Sequence, residues 1–360
     1  MQTLLLLISI FAATSFVISI INFFTIRVVK DRSCTIEKSV SVLVPMRNEE
    51  ANARALMETL LASTGLGDSE FIILNDGSTD GTAGILEGFK DKATIVEGIS
   101  LPVGWLGKTY ACQQLADRSR GDFLVFLDAD VRVKPSAISS AISLMESLGW
   151  DFISPYPREH GRTLMMKLVQ PLLQWSWLAS VPLRIAERGR QESMVIANGQ
   201  FFIVKRSAYE EISGHASVKS EILDDLSLAR TLTRAGFKGG VAEGSEVVEC
   251  TMYQTNSEMI AGYTKSLWKA FGGALGTTVT LLLLAATQIL PLALLAFGVK
   301  SAVIPLALIS LTHLLAALRV KANPINAIAH PVAGVLLIAL IVESYRRRSR
   351  GQLQWRGRMV

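Results

Sequence analysis

Long uncharged runs of hydrophobic residues occupy both ends of the chain, and much shorter runs alternate with segments of helix length in between. Residues 4–24 carry no charge and reach the ~20 residues that a helix needs to span the hydrocarbon layer of a membrane. Three comparable runs lie near the other end: Leu275–Phe297, Ser301–Leu318 and Ile325–Val342. The pattern predicts a transmembrane anchor in residues 1–30 and further transmembrane helices in residues 274–345.

Basic residues beside these runs predict how the chain lies in the membrane. Four of them follow the first run: Arg27, Lys30, Arg32 and Lys38. Because cytoplasmic flanks of transmembrane helices are rich in Lys and Arg, we expect a multi-pass protein of the cell membrane whose middle region, residues 38–273, is cytoplasmic. The basic tail, residues 346–360, leaves the number of C-terminal spans open. Three full spans would place the tail outside, against this rule, whereas two spans or a re-entrant pair would return it to the cytoplasm.

The middle region predicts an α/β fold. Short apolar runs at residues 40–45, 71–74, 94–97 and 123–127 each end in a polar turn, and segments of helix length separate them. Such runs, bounded by turn residues, are typical of buried strands. Since strands that alternate with helices pair in parallel, we expect a doubly wound, mostly parallel sheet.

The segment of about 163–190 has a different pattern. It is amphipathic, carries Trp175 and Trp177 among aliphatic residues, and is followed by arginines. Aromatic rings and arginines in this arrangement predict a helix in the membrane interface. The alternative is an internal helix with two tryptophans in its core.

The strand predicted at residues 123–127 ends in two carboxylates, Asp128 and Asp130. Strand alternation places them on the same side of the chain, at the edge of the sheet where open α/β folds bind ligands. Carboxylate oxygens can hold a hard divalent ion, which can in turn hold a diphosphate. Taken alone, Asp-x-Asp is also explained by a turn that favours Asp.

Three other polar segments supply candidate site residues. Asp76 lies in a turn rich in Gly and Asp, where it could bind a base or ribose, or simply serve the turn. Lys108 opens a helix and is read equally well as a phosphate ligand or as a solvated lysine. Asp224 and Asp225 precede an apolar-periodic helix, so they either cap it or include a general base whose pKa the neighbouring acid raises. His215, a lone histidine in a predicted loop, is assigned no catalytic role.

Composition supports a membrane protein of a reducing compartment. Half of the residues are hydrophobic, the net charge is +5 and the isoelectric point is about 9.1. The basic residues cluster beside the apolar runs, which indicates anionic lipid headgroups as partners and not nucleic acid. The three cysteines are odd in number and widely spaced, so they form neither a disulfide framework nor a zinc pattern.

Four segments in order along residues 40–273 resemble the family 2 glycosyltransferases, inverting enzymes with the GT-A nucleotide-sugar fold. The segments are residues 44–49 (Val-Pro-Met-Arg-Asn-Glu), residues 75–80 (Asn-Asp-Gly-Ser-Thr-Asp), residues 128–130 (Asp-Ala-Asp) and Asp224–Asp225–Leu226. The resemblance implies a cytoplasmic GT-A domain in residues 38–273 that uses a nucleotide-diphosphate sugar.

The resemblance also implies roles for individual residues. The donor would be bound by five of them: Asn48, Glu49, Asp76, Lys108 and Asp128. Asp130 would hold the Mg²⁺ or Mn²⁺ that bridges the diphosphate, and Asp225 would deprotonate the acceptor. Asp224 stands where the family has Glu, so the choice of Asp225 over Asp224 as the base rests on alignment alone. Asn75 stands where many members have Asp.

Three further segments are similar to a membrane-bound branch of the family that is associated with carotenoid and hopanoid pathways. They are residues 104–108 (Gly-Trp-Leu-Gly-Lys), 198–200 (Asn-Gly-Gln) and 213–215 (Ser-Gly-His). This similarity implies a lipid carboxylate or hydroxyl as acceptor, with UDP-glucose as a candidate donor. The Q-x-x-R-W motif of processive members is missing, which favours transfer of a single sugar. Two alternatives are transfer to polyprenyl phosphate and an inactive membrane scaffold.

Overall fold

The computed structural model describes residues 2–189, 191–355 and 358–359, and the chain divides into two units. The sheet unit comprises Arg27–Arg158 and Ile185–Thr251, and the helical unit comprises the remainder of the described chain. Parts of three predicted segments lie outside the described residues: Met1 of the anchor, Arg190 of the interfacial segment, and residues 356, 357 and 360 of the tail.

The structure contains the following helices and strands. The strands are β1 (Val40–Met46), β2 (Ser69–Asn75), β3 (Thr94–Glu97), β4 (Phe123–Leu127), β5 (Val131–Val133), β6 (Phe152–Tyr156), β7 (Arg158–Glu159), β8 (Phe201–Lys205), β9 (Gly239–Glu243), β10 (Val248–Cys250), β11 (Gln354–Trp355) and β12 (Arg358–Met359). The helices are α1 (Gln2–Thr25), α2 (Glu50–Leu61), α3 (Thr82–Glu87), α4 (Gly107–Arg118), α5 (Ala137–Ser147), α6 (Leu164–Ser180), α7 (Leu183–Gly189), α8 (Arg206–Glu211), α9 (Asp224–Arg234), α10 (Asn256–Ala270), α11 (Ala274–Leu284), α12 (Leu290–Ala296), α13 (Val303–Arg319) and α14 (Asn326–Ser349).

The sheet unit is built on a seven-stranded sheet with the strand order β3-β2-β1-β4-β8-β6-β9. β1 pairs in parallel with β2 and β4, β2 pairs in parallel with β3, and β6 pairs in parallel with β9. β8 runs antiparallel to both of its neighbours, β4 and β6. The predicted α/β fold with a mostly parallel sheet is therefore confirmed, and β8 is the exception to parallel pairing in this sheet.

Hydrophobic residues cover both faces of the sheet. Val42 and Val125 belong to a buried cluster that includes Leu56 of α2 and residues of α5. Leu43 and Leu124, one residue along each strand, belong to a second cluster that includes residues of α4 and α9. Continuous apolar runs are what strands need when helices pack on both faces of a sheet. Burial on both sides holds the strand ends, and the loops that leave them, in fixed positions.

The pairing register brings several strand ends to one edge of the sheet. Met46 at the end of β1 pairs with Asn75 at the end of β2, and β4 lies in register on the other side of β1. Because β8 is antiparallel, its first residue, Phe201, pairs with Leu127, the last residue of β4. The loops that follow β1, β2 and β4 therefore emerge at the same edge as the loop that precedes β8.

The helical unit contains four helices that are long and apolar enough to cross a membrane within the described ranges. They are Gln2–Thr25, Ala274–Ala296, Lys300–Arg319 and Asn326–Ser349. These helices confirm the predicted apolar helices at both ends of the chain. The last one continues past its predicted end at residue 345. Carboxylate oxygens of Glu343 lie 2.6 Å from Nε of Arg346 and 2.9 Å from Nε of Arg347, one turn later. These ion pairs, and the preference for basic residues at a helix C-terminus, support the extension.

Helix α6 belongs to the helical unit, and its two tryptophans are not exposed. Trp177 is 5% exposed. Trp175 stacks on His313, with ring centroids 4.2 Å apart, and its indole nitrogen donates to the hydroxyl of Thr312 at 2.8 Å. These contacts favour the alternative reading for the tryptophan rings, which pack inside the unit. The interfacial position of the segment as a whole stays a prediction.

Candidate active site

A cleft lies at the edge of the sheet where β1 and β4 end. Five polar residues line it: Lys108, Asp128, His215, Asp224 and Asp225. Gly199, which has no side chain, also lines it. The structure thus brings three sequence-predicted site residues together, Lys108, Asp128 and Asp225. The other four, Asn48, Glu49, Asp76 and Asp130, follow strands that end at the same edge but do not line this cleft.

Lys108 is the cation of the cleft. It is the second residue of α4, and its Nζ lies 2.7 Å from Oδ1 and 2.8 Å from Oδ2 of Asp128. Burial lowers the pKa of Lys108, but the negative charges of Asp128 and Asp224 outweigh this effect and hold the pKa well above its usual value. Lys108 is therefore not an isolated charge, because it is fixed in an ion pair while 34% of its side chain stays exposed.

Asp225 is held by the backbone. Its Oδ2 accepts a hydrogen bond from the N–H of Gly199 at 2.6 Å, and its Oδ1 accepts one from the N–H of Leu226 at 2.8 Å. Burial, followed by repulsion from Asp224, raises the pKa of Asp225 to about 6. The two backbone donors and Lys108 oppose that rise. A carboxylate with this pKa is ionised at neutral pH and still accepts a proton readily.

The alternative reading of Asp224 and Asp225 as a helix cap is not what the structure shows. They are the first two residues of α9, and Leu223 occupies the N-cap position, where no side-chain capping hydrogen bond forms. Asp224 is buried and Asp225 is half-buried, and both acids benefit from the helix dipole at the N-terminus of α9. Their position suits a chemical role in the cleft better than a role as the N-terminal cap of α9.

Asp130 lies in the turn between β4 and β5 and is half-buried, with its Oδ1 inaccessible to solvent. Its Oδ1 has no hydrogen-bond partner among the described residues. Burial, followed by the charges of Asp128 and Glu49, raises the pKa of Asp130 to about 7. A buried carboxylate oxygen without a donor is costly unless something else binds it.

A metal ion at Asp130 would need oxygen ligands from outside the protein. Within the described ranges, no group of three or more His, Cys, Asp or Glu side chains is arranged to hold an ion. The unpaired oxygen of Asp130 and the neighbouring carboxylate of Asp128 are nevertheless the type of donor that Mg²⁺ and Mn²⁺ prefer. These residues fit an ion that shares its coordination shell with a bound phosphate.

Asp76, Asn48 and Glu49 belong to a network of turns after β1 and β2. Asp76 is 9% exposed, and its backbone N–H donates to the carbonyl of Met46 at 2.8 Å. Oδ1 of Asn48 accepts from the N–H of Thr79 at 2.8 Å, and Asn48 has a φ of 53°. Oε2 of Glu49 accepts from the amide of Asn52 at 2.9 Å. The network fixes the shape of this part of the sheet edge.

Two residues that line the cleft, Gly199 and His215, were not among the predicted site residues. A Cβ atom on Gly199 would lie 3.1 Å from Cβ of Asp225 and 3.2 Å from Nζ of Lys108, so a side chain there would press on both. His215 is buried, and its Nδ1 lies 2.8 Å from the hydroxyl of Tyr209. Burial, followed by the charge of Lys108, lowers the pKa of His215 to about 3 and keeps the ring neutral. Gly199 lies in a segment that the sequence singled out only as a branch similarity. His215 was predicted to be a loop histidine without a catalytic role, and the structure places it in the short helical turn Gly214–Val218.

Residues 41–213 match the model of glycosyl transferase family 2. This segment is therefore a domain of that family, which confirms the resemblance seen in the sequence and the enzyme class of the domain.

Curated relatives of the chain are 4,4'-diaponeurosporenoate glycosyltransferases. The protein of Staphylococcus haemolyticus (strain JCSC1435) is 29% identical over 249 residues, which cover 66% of this chain and 63% of the relative. The protein of Staphylococcus aureus (strain bovine RF122 / ET3-1) is 26% identical over 243 residues, which cover 66% of this chain and 62% of the relative. The chain thus matches less than two thirds of the length of these relatives.

The fold is shared with a solved glycosyltransferase. The mannosyltransferase PcManGT from Pyrobaculum calidifontis, whose structure is in complex with GDP-Man and Mn²⁺, superposes with a TM-score of 0.57. The two chains are 16% identical, and the superposition covers 96% of this chain and 99% of the other. At this level of identity the likeness establishes the fold.

Proposed function

We propose that the chain is a membrane-bound, inverting glycosyltransferase that moves a single sugar from a nucleotide-diphosphate sugar to a lipid. The observation that carries this proposal is the half-buried carboxylate of Asp225, which two backbone N–H groups hold beside the Lys108–Asp128 ion pair. A carboxylate in this position suits the deprotonation of an acceptor hydroxyl. The family 2 domain in residues 41–213 supports the same reaction class.

The donor would lie along the sheet edge. Asp76, with Asn48 and Glu49 nearby in the turn network, would bind the nucleoside, and Asp128 with Lys108 would bind the ribose and diphosphate side. Asp130 would hold Mg²⁺ or Mn²⁺, and the ion when bound supplies positive charge toward the nucleoside diphosphate as it leaves. The solved structure named for GDP-Man and Mn²⁺ has the same fold, which supports a donor and an ion of these classes.

Transfer requires one bond to form and one to break at the anomeric carbon. The acceptor oxygen attacks from the face opposite the diphosphate, the bond from the anomeric carbon to the diphosphate oxygen breaks, and the configuration inverts. With a hydroxyl acceptor, Asp225 takes the proton, because each of its oxygens keeps a lone pair beyond the backbone bond it accepts. Lys108 keeps a positive charge beside Asp225 and thereby favours its ionised form before the proton moves.

The acceptor is proposed to be a lipid of the carotenoid-acid or hopanoid type. The relatives named for 4,4'-diaponeurosporenoate support a carotenoid acid. We also propose that residues 1–30 anchor the chain, that residues 38–273 form a cytoplasmic catalytic domain with an interfacial segment at about 163–190, and that residues 274–345 complete a multi-pass protein with a basic tail. Four helices long enough to cross a membrane support this arrangement within the described ranges.

A transfer assay with purified full-length protein in nanodiscs tests the proposal. Donors are UDP-glucose and GDP-mannose, acceptors are an apocarotenoid carboxylic acid and a polyprenyl phosphate, and products are identified by mass spectrometry. We expect one hexose on the carotenoid acid with Mn²⁺ or Mg²⁺ present. If only the polyprenyl phosphate receives a sugar, it replaces the carotenoid acid as the proposed acceptor. If no combination of donor and acceptor gives transfer or donor hydrolysis, the result supports the inactive scaffold.

The pH dependence of donor hydrolysis should identify the base. In donor hydrolysis the sugar is transferred to water. Because the raised pKa of Asp225 is about 6, kcat/KM for this hydrolysis should fall as the pH drops through about 6, where Asp225 becomes protonated. Asp224→Asn removes the repulsion that raises this pKa and should move the acid limb to lower pH. An acid limb that stays in place in Asp224→Asn and in Asp225→Asn would contradict this assignment.

A methyl group on Gly199 should damage the site without unfolding the protein. The new Cβ of Gly199→Ala would press on Asp225 and Lys108 at 3.1–3.3 Å, so we expect kcat to fall by about tenfold, since small misplacements of catalytic groups are costly. The matched control is Gly84→Ala in α3, where a Cβ meets no atom within 4 Å in the described structure. Equal kcat for both variants would show that Gly199 does not position Asp225.

A further inference from the structure

The loop that joins β3 to α4, residues 98–106, presents apolar side chains to the outside of the sheet unit. It carries no charged residue, and every residue from Ile99 to Gly104 is exposed. Three of these residues have large apolar side chains: Ile99 is 54% exposed, Leu101 is 38% exposed and Val103 is 102% exposed. Single apolar residues are common on protein surfaces, but several in one short segment indicate an interaction site.

The backbone of the β3–α4 loop holds Val103 outward. The N–H of Trp105 donates to the carbonyl of Pro102 at 3.3 Å, and Gly104 has a φ of 85°. A hydrogen bond of this spacing, with a positive φ at the third residue, is the pattern of a type II turn. Val103 therefore occupies the tip of a tight turn, and its full exposure follows from the geometry of that turn.

The end of the β3–α4 loop is anchored beside the cleft. The N–H of Leu106 donates to the carbonyl of Lys219 at 2.8 Å, and the hydroxyl of Thr109 donates to the same oxygen at 2.9 Å. Lys108, which lines the cleft, lies between these two anchors in sequence. Val103 precedes Lys108 by five residues, so their Cα atoms are at most about 18 Å apart. The apolar tip is therefore tied to the rim of the cleft.

Lipid is the apolar partner that the chain itself supplies to this loop. The helical unit contains four helices long enough to cross a membrane within the described ranges. The chain passes between the helical unit and the sheet unit four times, after Ile26, Arg158, Arg184 and Thr251. Because tethering raises the effective concentration of a partner, a membrane that holds the helical unit is available to the sheet unit at all times.

We propose that the β3–α4 loop inserts into the lipid bilayer, with Ile99, Leu101 and Val103 in contact with acyl chains. An uncharged segment enters this region without removing a charge from water. Trp105 suits the boundary of the bilayer, because its ring is apolar and its N–H is polar. The contact holds the rim of the cleft at the membrane surface, where a lipid acceptor is found. It rests on the membrane location in the proposed function and not on sugar transfer.

Spin labelling of the full-length protein in phosphatidylcholine nanodiscs tests the contact without an activity assay. Cys112 and Cys250 are buried, so the label is attached to Val103→Cys in a Cys34→Ser background. We expect the label to collide more often with oxygen, which dissolves in lipid, than with a water-soluble nickel chelate. The matched control is Asp91→Cys, on the exposed turn that precedes β3, where the nickel chelate should collide more often than oxygen.

Two results would overturn the proposal and leave the transferase reaction untouched. A label at residue 103 that collides mainly with the nickel chelate would place the loop in water. A label shielded from both reagents would place the loop against protein, such as a second copy of the chain. Full-length protein that does not stay in nanodiscs would contradict the proposed membrane location, and the lipid contact with it.

Kinetics supply a second measurement. Val103→Asp places a charge at the tip of the loop and should raise KM for a membrane-embedded acceptor by about tenfold or more, since a buried valine side chain contributes about this much. Donor hydrolysis should not change, because water needs no membrane contact. Val103→Leu keeps an apolar side chain and is the matched control, with a wild-type KM expected. Equal KM values for the two variants would contradict the proposed contact.

Discussion

Replacing Asp225 by Asn should lower the rate of transfer to a hydroxyl acceptor by about 10²–10⁴-fold, the usual contribution of a general base. The amide oxygen that the Asp225→Asn variant introduces would keep the hydrogen bond from Gly199, so donor binding should change little. A carotenoid acid behaves differently, because a carboxyl group with a pKa of about 4 is already ionised at neutral pH. With that acceptor the loss should be much smaller, and the ratio of the two losses reports which oxygen attacks.

Donor binding and turnover are measured separately for this variant, by calorimetry with the nucleotide sugar and by steady-state kinetics. Asp91→Asn, an identical change at an exposed turn of the sheet unit, should behave as wild type. If Asp225→Asn loses donor affinity and turnover together, Asp225 is structural. If it loses neither with a hydroxyl acceptor, the base lies elsewhere, and Asp224 is the next candidate.

Asp130→Asn should remove the dependence of activity on a divalent ion. The ion stabilises charge by several kcal/mol in such reactions, which corresponds to a loss of about 10²–10⁴-fold. The replacement also relieves a half-buried carboxylate that has one unpaired oxygen among the described residues and whose pKa is raised to about 7 by burial and by the charges of Asp128 and Glu49. We therefore expect the apo protein to be at least as stable as wild type while activity is lost.

Binding of Mn²⁺ in the presence of nucleoside diphosphate, followed by electron paramagnetic resonance, checks this prediction without an activity assay. Asp68→Asn, on an exposed turn, is the control and should bind the ion normally. Unchanged Mn²⁺ affinity and unchanged transfer in Asp130→Asn would remove Asp130 from the proposed metal site.

Much of the fold could be predicted because the strands are buried on both faces. Continuous apolar runs such as Phe123–Leu127 leave few alternatives to a central strand, and the polar turns after them mark the edge of the sheet. The same logic places Asp128 at that edge, because it follows β4. Lys108 and Asp225 are the second residues of α4 and α9, and their role in the donor and acceptor site was implied by the family resemblance. The uncharged hydrophobic runs that are long enough to span a membrane could also be recognised directly in the sequence.

The rest depends on contacts between residues that are distant in sequence. Nothing local indicates that β8 runs antiparallel, because alternation of strands and helices favours parallel pairing. Gly199 became part of the site only when β8 placed its N–H against Asp225, 26 residues later. His215 carries no local signal of burial, and Trp175 could be placed inside the helical unit only through its partners, His313 and Thr312.

The reversed direction of β8 changes which loops can vary in length. A parallel strand delivers the residues after it to the ligand-binding edge, whereas β8 delivers the residues before it, Gly199 among them. The hydroxyl of Ser154 accepts from the N–H of Asn198 at 2.8 Å and fixes the chain there, so insertions can be absorbed upstream of Asn198. A single residue added between Asn198 and Phe201 would shift the donor to Asp225 out of reach, so this short interval must keep its length as related chains diverge.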